Sequence, residues 1–284
     1  MALTTSVKQL INAVLRPANL KIETLTAERQ ELARLTDHVH TFGFEQQLYA
    51  LSPGFAEFDV TSMADAYARH RETIERLKDP ARNDTGYKPG NSYYDPGGDL
   101  EALYLIVRRF APRTVVEVGC GNSTKITRQA IIDGRLDTRI VAIDPHPRAD
   151  IAHLVDEFAQ NRVEAQDSSL FSCLEVNDIL FIDSTHELRA GNDVAHLFCR
   201  IIPLLKPGVI VHVHDIFLPY EYPPGIFFDY ASWGEQYLLH ALLAAGGYEI
   251  LWPGHYLQRA RPETHALLPF LAHGSAQSFW MRKK

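Results

Sequence analysis

Apolar residues at Val7, Leu10, Ile11, Val14 and Leu15 recur at helical spacing until Pro17 interrupts them. The same period predicts helices over 27–41 and 62–77. Between Pro80 and Gly98 periodicity gives way to turn punctuation: Asp79-Pro80, Pro89-Gly90-Asn91 and Pro96-Gly97-Gly98. The chain therefore divides into a helical cap or oligomerisation segment over 1–85 and a main domain over 86–284. Past Gly98, helical stretches at 99–110, 123–133, 151–160 and 191–204 alternate with apolar runs at 114–118, 140–143, 162–165, 179–182 and 209–213. Continuously apolar strands separated by helices imply a parallel sheet covered on both faces. The ending breaks that rhythm. A helix over 234–245 leads to strands at 248–252 and 277–282 with no helix between them, which predicts an antiparallel pair at one sheet edge. The fold class is α/β, a Rossmann-like doubly wound sheet with an N-terminal helical segment.

Charge and cysteine content narrow the function classes. Lys and Arg total 28 against 35 Asp and Glu, a formal net charge of −7 over 284 residues. A duplex nucleic-acid binder needs a basic face, and the one basic run, Arg282-Lys283-Lys284, reads as a solvated tail. Cys120, Cys173 and Cys199 are unpatterned, which supports neither a disulfide framework nor a zinc site. No apolar stretch approaches the roughly 20 residues of a membrane span, and polar residues interrupt any secretory h-region near Met1. The expectation is a soluble cytoplasmic enzyme acting on a small molecule.

Val115-Val116-Glu117-Val118-Gly119-Cys120-Gly121-Asn122-Ser123-Thr124 runs from a strand through a Gly-x-Gly turn into a helix. The glycines let backbone approach a ligand, and the helix start offers unpaired N–H groups. A dinucleotide site wants a further glycine where Thr124 stands. Glu117 instead suits a ligand carrying an ammonium and a sulfonium. A tight turn without ligand is the bland alternative. Asp144 ends the 140–143 strand in the position that holds ribose hydroxyls, or else caps a turn. Asp167-Ser168 can meet an adenine edge or serve as a loop cap, and Asp183 closes the 179–182 strand. All of them lie outside the carboxyl ends of strands, where open α/β sheets bind ligands.

Val116-Glu117-Val118-Gly119-Cys120-Gly121, Ala142-Ile143-Asp144 and Phe181-Ile182-Asp183 resemble the successive motifs of class I S-adenosylmethionine-dependent methyltransferases. Three further segments resemble the bacterial small-molecule branch known as methyltransferase domain family 24, a branch tied to secondary metabolism. They are Phe181-Ile182-Asp183-Ser184-Thr185-His186, His212-Val213-His214-Asp215-Ile216-Phe217-Leu218-Pro219 and Trp233-Gly234-Glu235-Gln236-Tyr237-Leu238-Leu239. The resemblance covers roughly residues 90–284. Ser123 departs from it, standing where many members have a third glycine. It implies seven strands with the last antiparallel. It assigns Glu117, Gly119 and Gly121 to the methionine part of S-adenosylmethionine, Asp144 to the ribose, Asp167 with Ser168 to the adenine, and Asp183 to the neighbourhood of the sulfonium.

Methyl transfer needs an aligned acceptor, excluded water and, for a hydroxyl, removal of a proton. Asp183, His186 and His214 are the candidate catalytic residues. Asp183, His214 and Asp215 are the candidate ligands of a divalent metal, with His186 a further ligand or the base. An imidazole in the set suits Fe²⁺, Mn²⁺ or Zn²⁺ better than Mg²⁺. His212, nearer the strand middle, reads as a hydrogen-bonded core histidine. His196 and His240 fall on helices and read the same way. Phe217, Tyr220, Tyr222, Phe227, Phe228, Tyr230 and Trp233 lie on a proline-stiffened loop. They form a lid over a planar acceptor, a satellite core against the N-terminal helices, or both. Tyr93 and Tyr94 are placed to face the same pocket. Competing readings are an NAD-dependent oxidoreductase, disfavoured by Glu117 and Thr124, and an S-adenosylmethionine-binding protein with other chemistry or none.

Overall fold

The computed structural model describes residues 5–90, 94–229 and 233–284. Tyr93, Tyr230 and Asn91, named above, lie outside the described residues. The chain opens with helices α1 (Thr5–Leu15), α2 (Thr26–Phe42), α3 (Pro53–Glu57) and α4 (Thr61–Leu77). Met63, Ala66, Tyr67, Ile74 and Leu77 make one buried face of α4, packed against α5 (Asp99–Phe110). At the N-terminus of α5 the Glu101 carboxylate accepts the Gly97 and Gly98 N–H groups at 3.1 and 3.0 Å, a reach-back that satisfies donors a helix start leaves open. α1 behaves differently: Leu10 and Val14 remain 70% and 74% exposed.

Seven strands follow: β1 (Thr114–Val118), β2 (Arg139–Ile143), β3 (Glu157–Ala159), β4 (Ile179–Ile182), β5 (Ile210–Val213), β6 (Tyr248–Pro253) and β7 (Phe279–Lys283). Their spatial order is β3-β2-β1-β4-β5-β7-β6. The first five run parallel, and β7 is antiparallel to both of its neighbours. The strand order reverses between β1 and β4, so the crevice at their carboxyl ends is where this architecture binds ligands. β4 and β5 are buried along their whole length, as expected of strands covered on both faces. α6 (Asn122–Gly134) follows the Gly-x-Gly turn, and α7 (Ser169–Ser172) and α8 (Asp193–His196) precede β4 and β5 respectively. α9 (Pro224–Asp229), α10 (Glu235–Ala244) and α11 (Gly254–Ala260) belong to the C-terminal part. No described helix is long and apolar enough to cross a membrane.

Three expectations are corrected. Residues 151–160 do not form a helix: a 3₁₀ turn at Ala152–Leu154 leads into the edge strand β3. The apolar spacing of Ile151, Leu154, Val155 and Phe158 imitates a helical face. Backbone pairing of 157–159 with β2 wins, helped by Asp156, whose carboxylate accepts the Ile140 N–H at 2.8 Å and the Arg128 guanidinium at 2.7 Å. The strand expected over 162–165 is consequently a 3₁₀ turn, Val163–Ala165. The closing strands are not joined without a helix, because α11 and two 3₁₀ turns lie between β6 and β7. The helix over 191–204 forms, but α8 continues as a π-helical turn over Leu197–Ile201 and a 3₁₀ turn over Ile202–Leu204, where Pro203 ends it.

Candidate active site

The Gly-x-Gly turn joins β1 to α6. Gly119 has φ +80°, and a Cβ there would stand 1.7 Å from the Asp183 carbonyl oxygen. The turn is thus pressed against the end of β4, and only glycine fits. Gly121 is the opposite case. A Cβ added to it would meet nothing within 4 Å, so its backbone borders open space at the start of α6. Glu117 is buried, and the Ser123 and Thr124 hydroxyls donate to its two oxygens at 2.5 and 2.7 Å. Burial pushes its carboxyl up to about 8, against the lowering effect of those two hydroxyls. Thr124 Oγ1 also accepts the Gly121 N–H at 3.1 Å. The side chains at 123 and 124 thus hold the turn from beneath, which explains why neither position is a glycine.

Asp144, at the end of β2, accepts the Cys120 N–H at 3.1 Å through one oxygen and the His146 N–H at 2.7 Å through the other. Its carboxylate is fixed beside the turn and partly open. Asp167 and Ser168 are exposed; Asp167 accepts the Ser169 N–H at 2.8 Å, the geometry of a cap on α7.

The carboxyl ends of β4 and β5 carry the densest chemistry. Asp183 and Asp215 stand between two histidines. His186 Nε2 lies 3.5 Å from Asp183 and 3.3 Å from Asp215. His214 Nδ1 lies 3.7 Å from Asp183 and 3.5 Å from Asp215. Each imidazole is braced on its far nitrogen by a buried carboxylate. Glu235 holds His186 Nδ1 at 2.8 Å, and Asp99 faces His214 Nε2 at 3.3 Å. The other Asp99 oxygen accepts the Gln277 and Ser278 N–H groups at 2.8 and 2.7 Å, tying α5 to the start of β7. Ligand atoms of Asp183, His186 and Asp215 all come within 4.8 Å of one another. His214 flanks that trio from the β5 side.

Electrostatics follow from this alternation. Burial disfavours an imidazolium at His186, but the carboxylates of Asp183, Glu235 and Asp215 outweigh it and hold its pKa at about 10. His214 is likewise raised well above the usual histidine range: burial opposes, while Asp183 and Asp215 prevail. Burial alone would raise Asp183, yet the charges of His214 and His186 hold it at about 2. His186 and Asp215 adopt φ +60° and +54°, backbone strain of the kind that concentrates at working sites. His212 is a core histidine: it stacks on Phe181 at 3.9 Å and pairs with the Tyr94 hydroxyl at 3.0 Å. Tyr94 is buried, and its ring stacks on His214 at 4.5 Å.

The aromatic loop after β5 packs onto α2. Leu35, Phe217, Tyr222 and Phe227 form a satellite core with Val39, Phe44, Ile226 and Trp233 against it. Part of the loop is helical (α9), which sequence spacing did not disclose. Between the loop and α2 a cavity of about 280 Å³ remains, lined in part by Leu35, Tyr222, Phe227 and Trp233. The Trp233 ring is 4.3 Å from that of His186, so cavity and cluster are neighbours. Sequence reasoning missed Asp99 and Glu235. Glu235 was visible within the Trp-Gly-Glu-Gln-Tyr segment, and Asp99 as the first residue of a helix, but neither carries a mark of its partner.

Among curated proteins none matches the chain. Solved structures that resemble it include an O-methyltransferase from Bacillus cereus in complex with SAH, at 15% identity over 78% of this chain and 91% of that one, TM-score 0.41. Another is the SAH-bound Podospora anserina methyltransferase PaMTH1, at 14% identity over 93% of this chain and 99% of that one, TM-score 0.42. Residues 116–216 match a family model described as a methyltransferase domain. That match runs from β1 past the Gly-x-Gly turn, Asp144 and Asp183 to Asp215, so this stretch of the chain is similar to a methyltransferase domain, the likeness its motifs also carry.

Proposed function

We propose that the chain transfers a methyl group from S-adenosylmethionine to a hydroxyl of a small-molecule acceptor, with a divalent metal at the acid–histidine cluster. One observation carries the reading. The Gly119 backbone abuts the Asp183 carbonyl, so a ligand over the Gly-x-Gly turn and an acceptor at the cluster share one wall. When bound, S-adenosylmethionine supplies an electrophilic methyl on its sulfonium. The open space over Gly121 and the fixed carboxylate of Asp144 fit the methionine and ribose portions of such a ligand. Asp167 with Ser168 would meet the adenine. In this reading residues 86–284 carry the chemistry, and 1–85 cap the acceptor side through α2.

His186 favours the metal over a free base. Against burial, Asp183, Glu235 and Asp215 raise its pKa above the usual histidine range, which makes it a poor proton acceptor. A dication in the proton's place would satisfy Asp183 and Asp215, with His186 Nε2 as nitrogen ligand and His214 beside the trio. The braces from Glu235 and Asp99 are those that metal-binding histidines use. The mixed donor set favours Fe²⁺, Mn²⁺ or Zn²⁺ over Mg²⁺. Such an ion would lower the acceptor's hydroxyl pKa and orient it.

The test is calorimetric titration with S-adenosylmethionine, followed by assay of methyl transfer over a panel of hydroxylated small molecules. Asp144→Ala is expected to weaken S-adenosylmethionine by about 1.5–3 kcal/mol, the worth of charge-assisted hydrogen bonds, in a protein that melts as before. Unchanged affinity discards the ribose assignment. We also propose that a second copy of the chain covers the apolar face of α1. Sedimentation should then show a dimer that Leu10→Glu/Val14→Glu dissociates; a monomeric parent protein removes the idea.

A further inference from the structure

The cavity between α2 and the loop after β5 has a charged end that methyl transfer does not explain. Glu221 is buried there, its side chain 2% exposed. One of its oxygens accepts the Tyr237 hydroxyl at 2.7 Å, the Tyr222 N–H at 2.9 Å and the Gln236 amide at 3.4 Å. The other accepts the Tyr49 hydroxyl at 2.6 Å. All four donors are neutral. Burial, reinforced by Glu221, raises both phenols far above the usual tyrosine value, so they remain donors. Arg34 also lines the cavity, with its Nε and Nη2 paired to Glu31 at 2.9 and 2.7 Å. Among the described residues no lysine or arginine pairs with Glu221. His38 Nε2 stands 3.5 Å from it, buried and without a hydrogen-bond partner.

A buried carboxylate bonded by four neutral donors, with only the His38 imidazole near it and no lysine or arginine paired to it, is a costly arrangement that a cationic ligand would complete. Phe227, Trp233, Tyr222 and Tyr237 also line the cavity with Leu35, and aromatic rings attract cations. The volume, about 280 Å³, exceeds the about 150 Å³ that holds a benzene ring and fits one ring with a short side chain. We propose that this cavity is a recognition subsite for a planar ring bearing a protonated amine, with Glu221 as its counter-charge. As the acceptor's docking site it rests on the methyl-transfer reading.

The first turn of α10 links the subsite to the chemistry. Glu235 braces His186, while the next two residues, Gln236 and Tyr237, bond Glu221. An amine seated on Glu221 therefore lies against the same turn that orients the cluster, and Trp233 separates the two. Gln236 also ties this turn to the loop after β5, accepting the Phe217 N–H at 3.1 Å.

Three probes with the same ring separate charge from shape: tyramine, tyrosol and 4-hydroxyphenylacetate, titrated calorimetrically into the full chain. Tyramine is expected to bind at least tenfold more tightly than either other probe, and Glu221→Gln to erase that preference. Equal affinities, a preference for the carboxylate, or a preference that survives Glu221→Gln in a protein of normal melting temperature overturns the proposal. Should Glu221→Gln fail to fold, the ranking on the unaltered protein still decides, and Leu35→Lys, which puts an ammonium on the cavity wall, should abolish tyramine binding. S-adenosylmethionine is titrated separately. Its failure to bind sinks the methyl-transfer reading and leaves the amine ranking intact, whereas binding of the cofactor without amine preference sinks only the subsite.

Discussion

Gly119→Ala should cost about 3 kcal/mol or more of folding stability, while Gly121→Ala should cost almost none. At Gly119 a methyl group would occupy the place of the Asp183 carbonyl oxygen, 1.7 Å away, and φ is +80°. The clash is with backbone, so no rotamer relieves it. The β1 turn or the end of β4 must move. At Gly121 the backbone is extended, φ 171°, and the added methyl meets nothing. That variant should keep its urea midpoint and lose affinity for S-adenosylmethionine, because the methyl projects into the space the cofactor would take. Urea denaturation of the pair, with the cofactor titration beside it, separates a structural glycine from a ligand-facing one. Equal stabilities would mean that the turn is not pressed against β4.

The second large effect concerns metal affinity. Elemental analysis and titration with Mn²⁺ and Zn²⁺ should find one site, lost in Asp183→Asn. Glu235→Gln should weaken it by about 10–100-fold, the usual cost of losing the carboxylate behind a metal-binding histidine. Glu235 touches no ligand position. It acts through His186 Nδ1 at 2.8 Å, which leaves Nε2 facing Asp183 and Asp215. Once an acceptor is in hand, turnover should fall after EDTA treatment and return with one of these ions. Metal-free protein with unaltered turnover, or wild-type affinity in Glu235→Gln, refutes the site.

Strand patterns were the legible part of the fold. β1 and β4 match the expected runs to the residue, because a strand buried on both faces is mostly apolar, Glu117 being the exception in β1. The edge was harder to read. β3 is three residues long and its apolar spacing mimics a helix, so pairing with β2 decides a segment whose local signal points elsewhere. The histidines show a similar limit. Spacing identified Asp183, His186, His214 and Asp215 as neighbours, and His212 as core. Which nitrogen each imidazole turns to the cluster depends on Asp99 and Glu235, lying 115 and 49 residues away from His214 and His186. Contacts across such distances leave no local trace. The aromatic loop was recognised by composition, but its charged counterpart Glu221 was not, since a single acid in a run of tyrosines and prolines looks solvated until α2 and α10 close around it.

The position of β7 has a bearing on how the chain reaches its native state. β7 lies between β5 and β6, both of which precede it in the sequence. Until residues 279–283 arrive, β5 offers an open edge in the centre of what will be the sheet, and β6 has no partner in it. The 210–213 segment is apolar but for His212, and an unpaired apolar edge is an aggregation template. Pairing β5 with β7 requires closing a loop of more than sixty residues, a long-range contact that forms late. Shortened or newly emerging chains that lack the last strand should therefore be the form that depends on chaperones. Expression at low temperature should rescue yield more than any change to the pocket.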